Sequence, residues 1–234
     1  MSFPAKVDVY GLAEANKIII QSTTGGETAT NVEATGEDGS IVANSVIGEL
    51  ANPSCDMQLQ ADVTKAAGAW KIGGVTTSNS KKFALEKISI TTSGGAAPSI
   101  SVSGKQVNSG ATTGCYYPVP AFSLSLKHHA QILFSAFTLA GTGVHLTGAS
   151  YEISGNINVV TIDGVPIAFD VTQGKIEVSV TIKQCGEATP VLSAGTGFEI
   201  TSPLASSNPD ADYPTWTATL TQYLTKSDAA SQQS

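Results

Sequence analysis

The chain of 234 residues carries 12 lysines and 19 acidic residues, giving a formal net charge of −7, and it contains no arginine. Bidentate reading of bases and phosphates leans on arginine, so this composition argues against a sequence-specific nucleic-acid binder. Apolar residues make up 41% and charged residues 13%, with Gly, Ser and Thr punctuating short runs of Val and Ile, which reads as a globular all-β chain and excludes a disordered one.

From the N-terminus, MSFPAKVDVY lacks the apolar stretch of a signal peptide and no run has the length to span a bilayer. The expectation is a protein made and kept in a reducing cytoplasm. Strands are expected at 6–10, 29–35, 40–47, 55–63, 84–92 and 99–107, and again at 121–126, 150–162, 165–171, 175–183, 190–201 and 215–223. In SLKHHAQILFSAFTLAG the apolar residues Leu126, Ala130, Leu133, Phe137 and Ala140 recur at helical spacing, so a short helix is expected there, with a weaker counterpart in GLAEANKIII. The stretch from Thr64 to Lys82 reads as a long loop, and SGKQVNSGATTGCYYP marks a break at 108–118.

Two phrases repeat. EDGSIVANSVIGE at 37–49 and IDGVPIAFDVTQGK at 162–175 each set an Asp-Gly pair, Asp38-Gly39 and Asp163-Gly164, between β-prone runs. Both residue types tolerate the positive φ of a two-residue hairpin turn. A third run follows each, CDMQLQADV or KIEVSVTI, so each phrase reads as a three-stranded meander. Further matches flank them: Pro4-Ala5 with Pro120-Ala121, ANKIIIQS from Ala15 with AQILFS from Ala130, Ile72 with Ile200, Ser78-Asn79 with Ser207-Asn208, and ISITT at 88 with TATLTQ at 217. This is the pattern of a tandem duplication. The expected fold is mainly β, with two tandem β-sandwich or partial-barrel domains of one short helix each. The first covers 1–107, a linker covers 108–118, and the second covers 119–234 and ends in a short disordered tail.

No constellation for catalysis, cofactor or metal emerges. Cys55, Cys115 and Cys185 have no CxxC spacing and an odd count, so they read as free thiols. His128 and His129 are adjacent and therefore diverge, and His145 lies far along the chain. GTGVHLTG has glycine but no phosphate-loop spacing, Ser150 lacks the second glycine of a nucleophile elbow, and Asp163 is explained by its turn. An enzyme is not expected. Trp216 lies in an alternating strand and is expected in the core. Trp70, between glycines on the expected loop, has two readings. It folds back on its own domain, or it anchors a subunit contact in which Lys65, Lys71, Lys81 and Lys82 face acids such as Asp210 and Asp212 of another subunit.

In its order of strand, helix, Asp-Gly meander and long loop before a closing strand, carried by EATGEDGSIVANS and VVTIDGVPIAFDV, the chain resembles the tail tube proteins of tailed bacteriophages. That resemblance implies self-association into rings stacked around a channel that conducts DNA as non-specific cargo. It implies neighbouring subunits closing a β-barrel, contacts with other tail or baseplate proteins, no cofactor and no membrane. The protein would belong to the virion tail and be assembled in the host cytoplasm. If six similar domains close a ring, two per chain give a trimer with approximate sixfold symmetry, and a ring of six chains is the alternative. Baseplate, tail-terminator and capsid-decoration proteins share these features, as does an adhesin or carbohydrate-binding module.

Overall fold

A computed structural model describes residues 6–25, 29–35, 41–48, 50–127, 130–207 and 213–228. In chain order the strands are β1 (Ile18–Thr24), β2 (Ala29–Thr35), β3 (Ile41–Gly48), β4 (Ser54–Leu59), β5 (Val63–Lys65), β6 (Lys71–Ile72), β7 (Val75–Ser78), β8 (Lys81–Ser93) and β9 (Ala96–Val107). They continue as β10 (Cys115–Pro118), β11 (Phe122–Leu124), β12 (Phe137–Ala140), β13 (Val144–Ile162), β14 (Val165–Gln184), β15 (Val191–Ala194), β16 (Glu199–Ser206), β17 (Thr215–Tyr223) and β18 (Ser227–Asp228). The mainly β class follows from the alternation of apolar and hydroxyl residues in these runs.

One antiparallel sheet runs β1-β4-β9-β8-β13-β14-β17-β16, with β7 paired to the end of β8. The path holds the same four-strand arrangement twice. In chain order the first copy supplies β1, β4, β8 and β9 and the second supplies β13, β14, β16 and β17, and both lie along the sheet as first, second, fourth, third. A shift of four strands along the sheet superposes one order on the other. Two irregularities match as well: the first–second ladder is bulged at Ile20/Ser22 and at Leu146/Gly148, and the third–fourth ladder at Leu85/Lys87 and at Ile200/Ser202, while a further step at Ser202/Ala205 occurs in β16 alone. In each copy a hairpin projects between the first and second strands, bulged at Ala34/Thr35 in one and at Val160/Thr161 in the other. Shared bulges at shared ladder positions are a stronger sign of duplication than short sequence matches, because each bulge is a specific local feature.

The copies are joined by β8 and β13, which pair from Ser93 opposite Gly148 to Lys87 opposite Ser154. A single cluster of buried side chains runs from Val9 to Leu220. Small two- and three-stranded sheets, β5 with β11, β12 with β15, and β6-β10-β18, complete the fold. The break expected at 108–118 holds a turn and then β10, which pairs with β6 and β18.

Three expectations are corrected. Among the described residues there is no helix, and none long and apolar enough to cross a membrane. Phe134 and Ser135 take positive φ, and the main-chain N–H groups of Gln131 and Leu133 are satisfied by Thr92 Oγ1 and Tyr151 Oη, so the segment needs no helical bonds. Near GLAEANKIII the Asp8 carboxylate accepts from the N–H of Leu12 and Ala13, and Asn16 at φ 61° turns the chain back into β1. The stretch from Thr64 to Lys82 is no long loop, since it carries parts of β5 and β8 and the whole of β6 and β7. The run CDMQLQ forms β4, which pairs with β1 and β9, so the first repeated phrase is a hairpin without a third meander strand. In the second, 165–184 is one bent strand.

Candidate functional site

The side chains of one sheet face are buried, among them Ile88, Ile90, Ile100, Val102, Tyr151, Ile153, Val178, Val180 and Leu220. On the other face, register places hydroxyl residues side by side across strand after strand. Ser99, Thr91, Ser150, Ser179, Thr219 and Ser202 form one unbroken row. The neighbouring row carries the acids: Asp56, Ser101, Ser89, Glu152, Glu177, Thr221 and Glu199. Alternation along each strand makes this face polar, and the register makes the polarity continuous.

Two of its lysines are spent on its acids, while Lys183, farther along β14 on the same face, lies over the Tyr213 ring. Glu152 and Glu177 stand directly opposite each other, an unfavourable pairing for like charges. Lys87 meets Glu152 at 2.5 Å and Lys175 meets Glu177 at 2.9 Å, and the hydrogen bond to Glu177 holds the Lys175 pKa above its ordinary value. Asp56 accepts from the hydroxyls of Ser22 at 2.9 Å and Ser101 at 2.7 Å. The face thus presents weakly binding hydroxyls and an excess of acid, a combination that repels a polyanion.

Both ends of the sheet are open edges. β1 pairs only with β4, and β16 only with β17. Six of the eight residues of β16 are exposed, whereas in β8, its counterpart in the first copy, only Thr91 is.

Of the residues expected at a subunit contact, the structure gathers several inside the chain. Trp70 is 3% exposed and packs edge-on against Phe122 at 5.0 Å, so its ring has no surface to offer another subunit. The ring is buried within its own chain, against a residue of the segment expected to form the second domain and not of the first. Lys65 sits 5.8 Å from the Trp70 ring centre and 2.7 Å from Glu14, whose carboxyl is held down at about 2 by hydrogen bonds from Lys17 and Lys65. Lys71 lies over the Tyr116 ring at 4.5 Å, Lys82 donates to the Ala111 carbonyl, and Lys81 opens β8. Asp210 and Asp212 lie outside the described residues, as do Asp38, Gly39, His128 and His129.

Asp163 and Gly164 form the tight turn expected of them, with φ of 50° and 76°. Trp216 is partly buried against the core and donates to Gln184 Oε1 at 2.9 Å. None of the three cysteines is in a disulfide: Cys55 is buried, which pushes its thiol pKa up, Cys115 is half-buried and Cys185 exposed. No group of three or more His, Cys, Asp or Glu side chains suited to a metal occurs among the described residues. The face and its edges escaped the sequence reading because alternation reveals a polar side for each strand, not which strands adjoin. No family model matches the chain, and no curated protein is similar to it in sequence.

Proposed function

We propose that this chain is a structural subunit of a bacteriophage tail tube, stacking in rings around a channel through which DNA passes. The observation that carries the reading is the translational duplication. Two like units lie side by side in one sheet, and the sheet stops at two different open edges, so further chains extend it in the same direction. Three chains with eight path strands each would close 24 strands. At a strand spacing of about 4.8 Å and a tilt of roughly 40°, such a barrel is about 50 Å across, wide enough for a DNA duplex after side chains are allowed for. The hydroxyl and acidic face turned inward would let DNA slide without binding, while closure would remove both exposed edges.

Negative-stain microscopy of the purified protein tests this. Stacked rings with threefold end-on averages are expected. A persistent monomer, or rings of six whole chains, would overturn the trimeric tube.

A further inference from the structure

The joint between the two copies is a template for a joint between chains. Inside the chain, the third strand of the first copy (β8) pairs with the first strand of the second (β13). The two edges left open are the third strand of the second copy (β16) and the first strand of the first (β1). The path strands alternate in direction, so the outer edges stand in the same antiparallel relation as β8 and β13.

We propose that the end of β16, with Ser207, adds to the end of β1, with Gly25, of a second copy of the same chain, in the register that Ile90 and Thr91 of β8 use with Tyr151 and Ser150 of β13. The bulges fix that register. Ser206 and Ile90 occupy equivalent places, opposite Trp216 and Ile100, and Ser207 follows as Thr91 does. Thr24 and Gly25 correspond likewise to Ser150 and Tyr151, counting from the bulges at Ser22 and Gly148. Since Thr91 lies opposite Ser150 and Ile90 opposite Tyr151, Ser207 lies opposite Thr24 of the second copy, and Ser206 opposite its Gly25.

The internal joint also carries a clamp. Glu86 and Lys105, paired at 2.8 Å, grip the main chain of Ile157 in the projecting hairpin: Lys105 Nζ donates to its carbonyl at 3.1 Å, and its N–H donates to Glu86 Oε1 at 3.4 Å. The corresponding pair on the second copy is Thr201 and Thr221, whose hydroxyls lie 3.2 Å apart. Main chain at Asn31, the counterpart of Ile157, is what they meet in the second copy.

Two features of the edges favour this occupant. Natural edge strands are commonly guarded by charge, yet β1 reads IIIQSTT without one. Pro203 in β16 lies within the irregular step from Ser202 to Ala205, so it withholds at most one N–H and forbids registers that would need it. The interface is heterologous, because β1 meets β16 and never itself, so the assembly grows head to tail and a two-fold dimer is not formed.

Paired cysteines test the joint in the full chain with Cys185→Ser. Thr24 and Ser207 lie seven strand spacings apart along the path, roughly 34 Å, so a disulfide between them has to join two chains. The double variant Thr24→Cys/Ser207→Cys should give a ladder of covalent multimers on oxidation. A mixture of the two single variants should stop at dimers, and neither single variant alone should dimerise. Circular dichroism checks that each variant keeps its β-sheet, and the exposure of both sites makes that the expected result. Overturning results are no intermolecular bond in folded protein, self-dimerisation of either single variant, or equal cross-linking from the off-register pair Thr24→Cys/Glu199→Cys. The joint rests on the duplication and not on the tube: cross-linked rings or fibres without stacked tubes keep it and sink the proposed function, while tubes that fail to cross-link sink the joint alone.

Discussion

Tyr151 shows how much one hydroxyl can organise. Its ring is fully buried opposite Ile90 at the joint between the two copies, and it ends an aromatic series through Phe134 and Phe122 to Trp70. The hydroxyl donates to the Gln131 carbonyl at 2.6 Å and accepts from the Leu133 N–H at 3.0 Å, and burial pushes its pKa up, so it stays a neutral donor. Those two bonds replace helical ones in the segment whose apolar spacing suggests a helix. Tyr151→Phe keeps the ring but strands a buried N–H and a carbonyl, which should cost about 1–3 kcal/mol. Urea unfolding should show a lower midpoint with an unchanged slope. An unchanged midpoint would mean that these bonds contribute nothing. None of this was legible at the residue, since a tyrosine in an alternating strand gives no sign of what its hydroxyl meets. Trp70 was equally ambiguous, because flanking glycines suit both an exposed anchor and a ring packed closely against main chain.

At the scale of elements, the hairpins were legible and the pairing of strands was not. Asp-Gly between β-prone runs has a local cause, so the turn at Asp163-Gly164 could be read directly. The strand equivalences could not, because Ser and Thr alternate with apolar residues in nearly every strand, and local sequence cannot separate a third strand from a fourth. ISITT at 88 belongs to β8, whose counterpart is β16, whereas TATLTQ at 217 belongs to β17, the counterpart of β9. Ile200 likewise answers to Leu85, and not to Ile72. Ladder bulges resolve what composition leaves degenerate. A second element-level feature is the bend of β14, where Gln173 takes φ 57° and the pairing slips between Ser154 and Asn156. The Tyr117 ring lies against Gly174 there, so close that an added Cβ would come within 2.3 Å of it. Gly174→Ala should therefore destabilise the chain by about 1–3 kcal/mol through overpacking. In a Tyr117→Leu background the same change should cost measurably less, and a double-mutant cycle by thermal or urea unfolding reads the difference. Equal costs in both backgrounds would show that the ring is not the obstacle.

For the whole molecule, charge and topology point the same way. The formal charge of −7 was plain from composition, but its meaning depends on where the acids lie, and the sheet brings Asp56, Glu152, Glu177 and Glu199 into one row on the unburied face. The lysines that approach Glu152 and Glu177 are paired with them, so neither is free to hold a phosphate. A face that conducts DNA without retaining it needs this balance, since each phosphate neutralised by a lysine adds affinity and a counterion-release dependence on salt. Asp56→Lys/Glu199→Lys reverses two acids and leaves both ion pairs intact, moving the formal charge from −7 to −3. The parent should show no retention of duplex DNA in a gel-shift assay at low salt. The double variant should retain it, with affinity falling steeply as salt is raised. Tight, salt-sensitive binding by the parent would mean that its DNA-facing surface lies elsewhere and is basic. A double variant that stays inert in assembled particles would mean that this face never meets DNA.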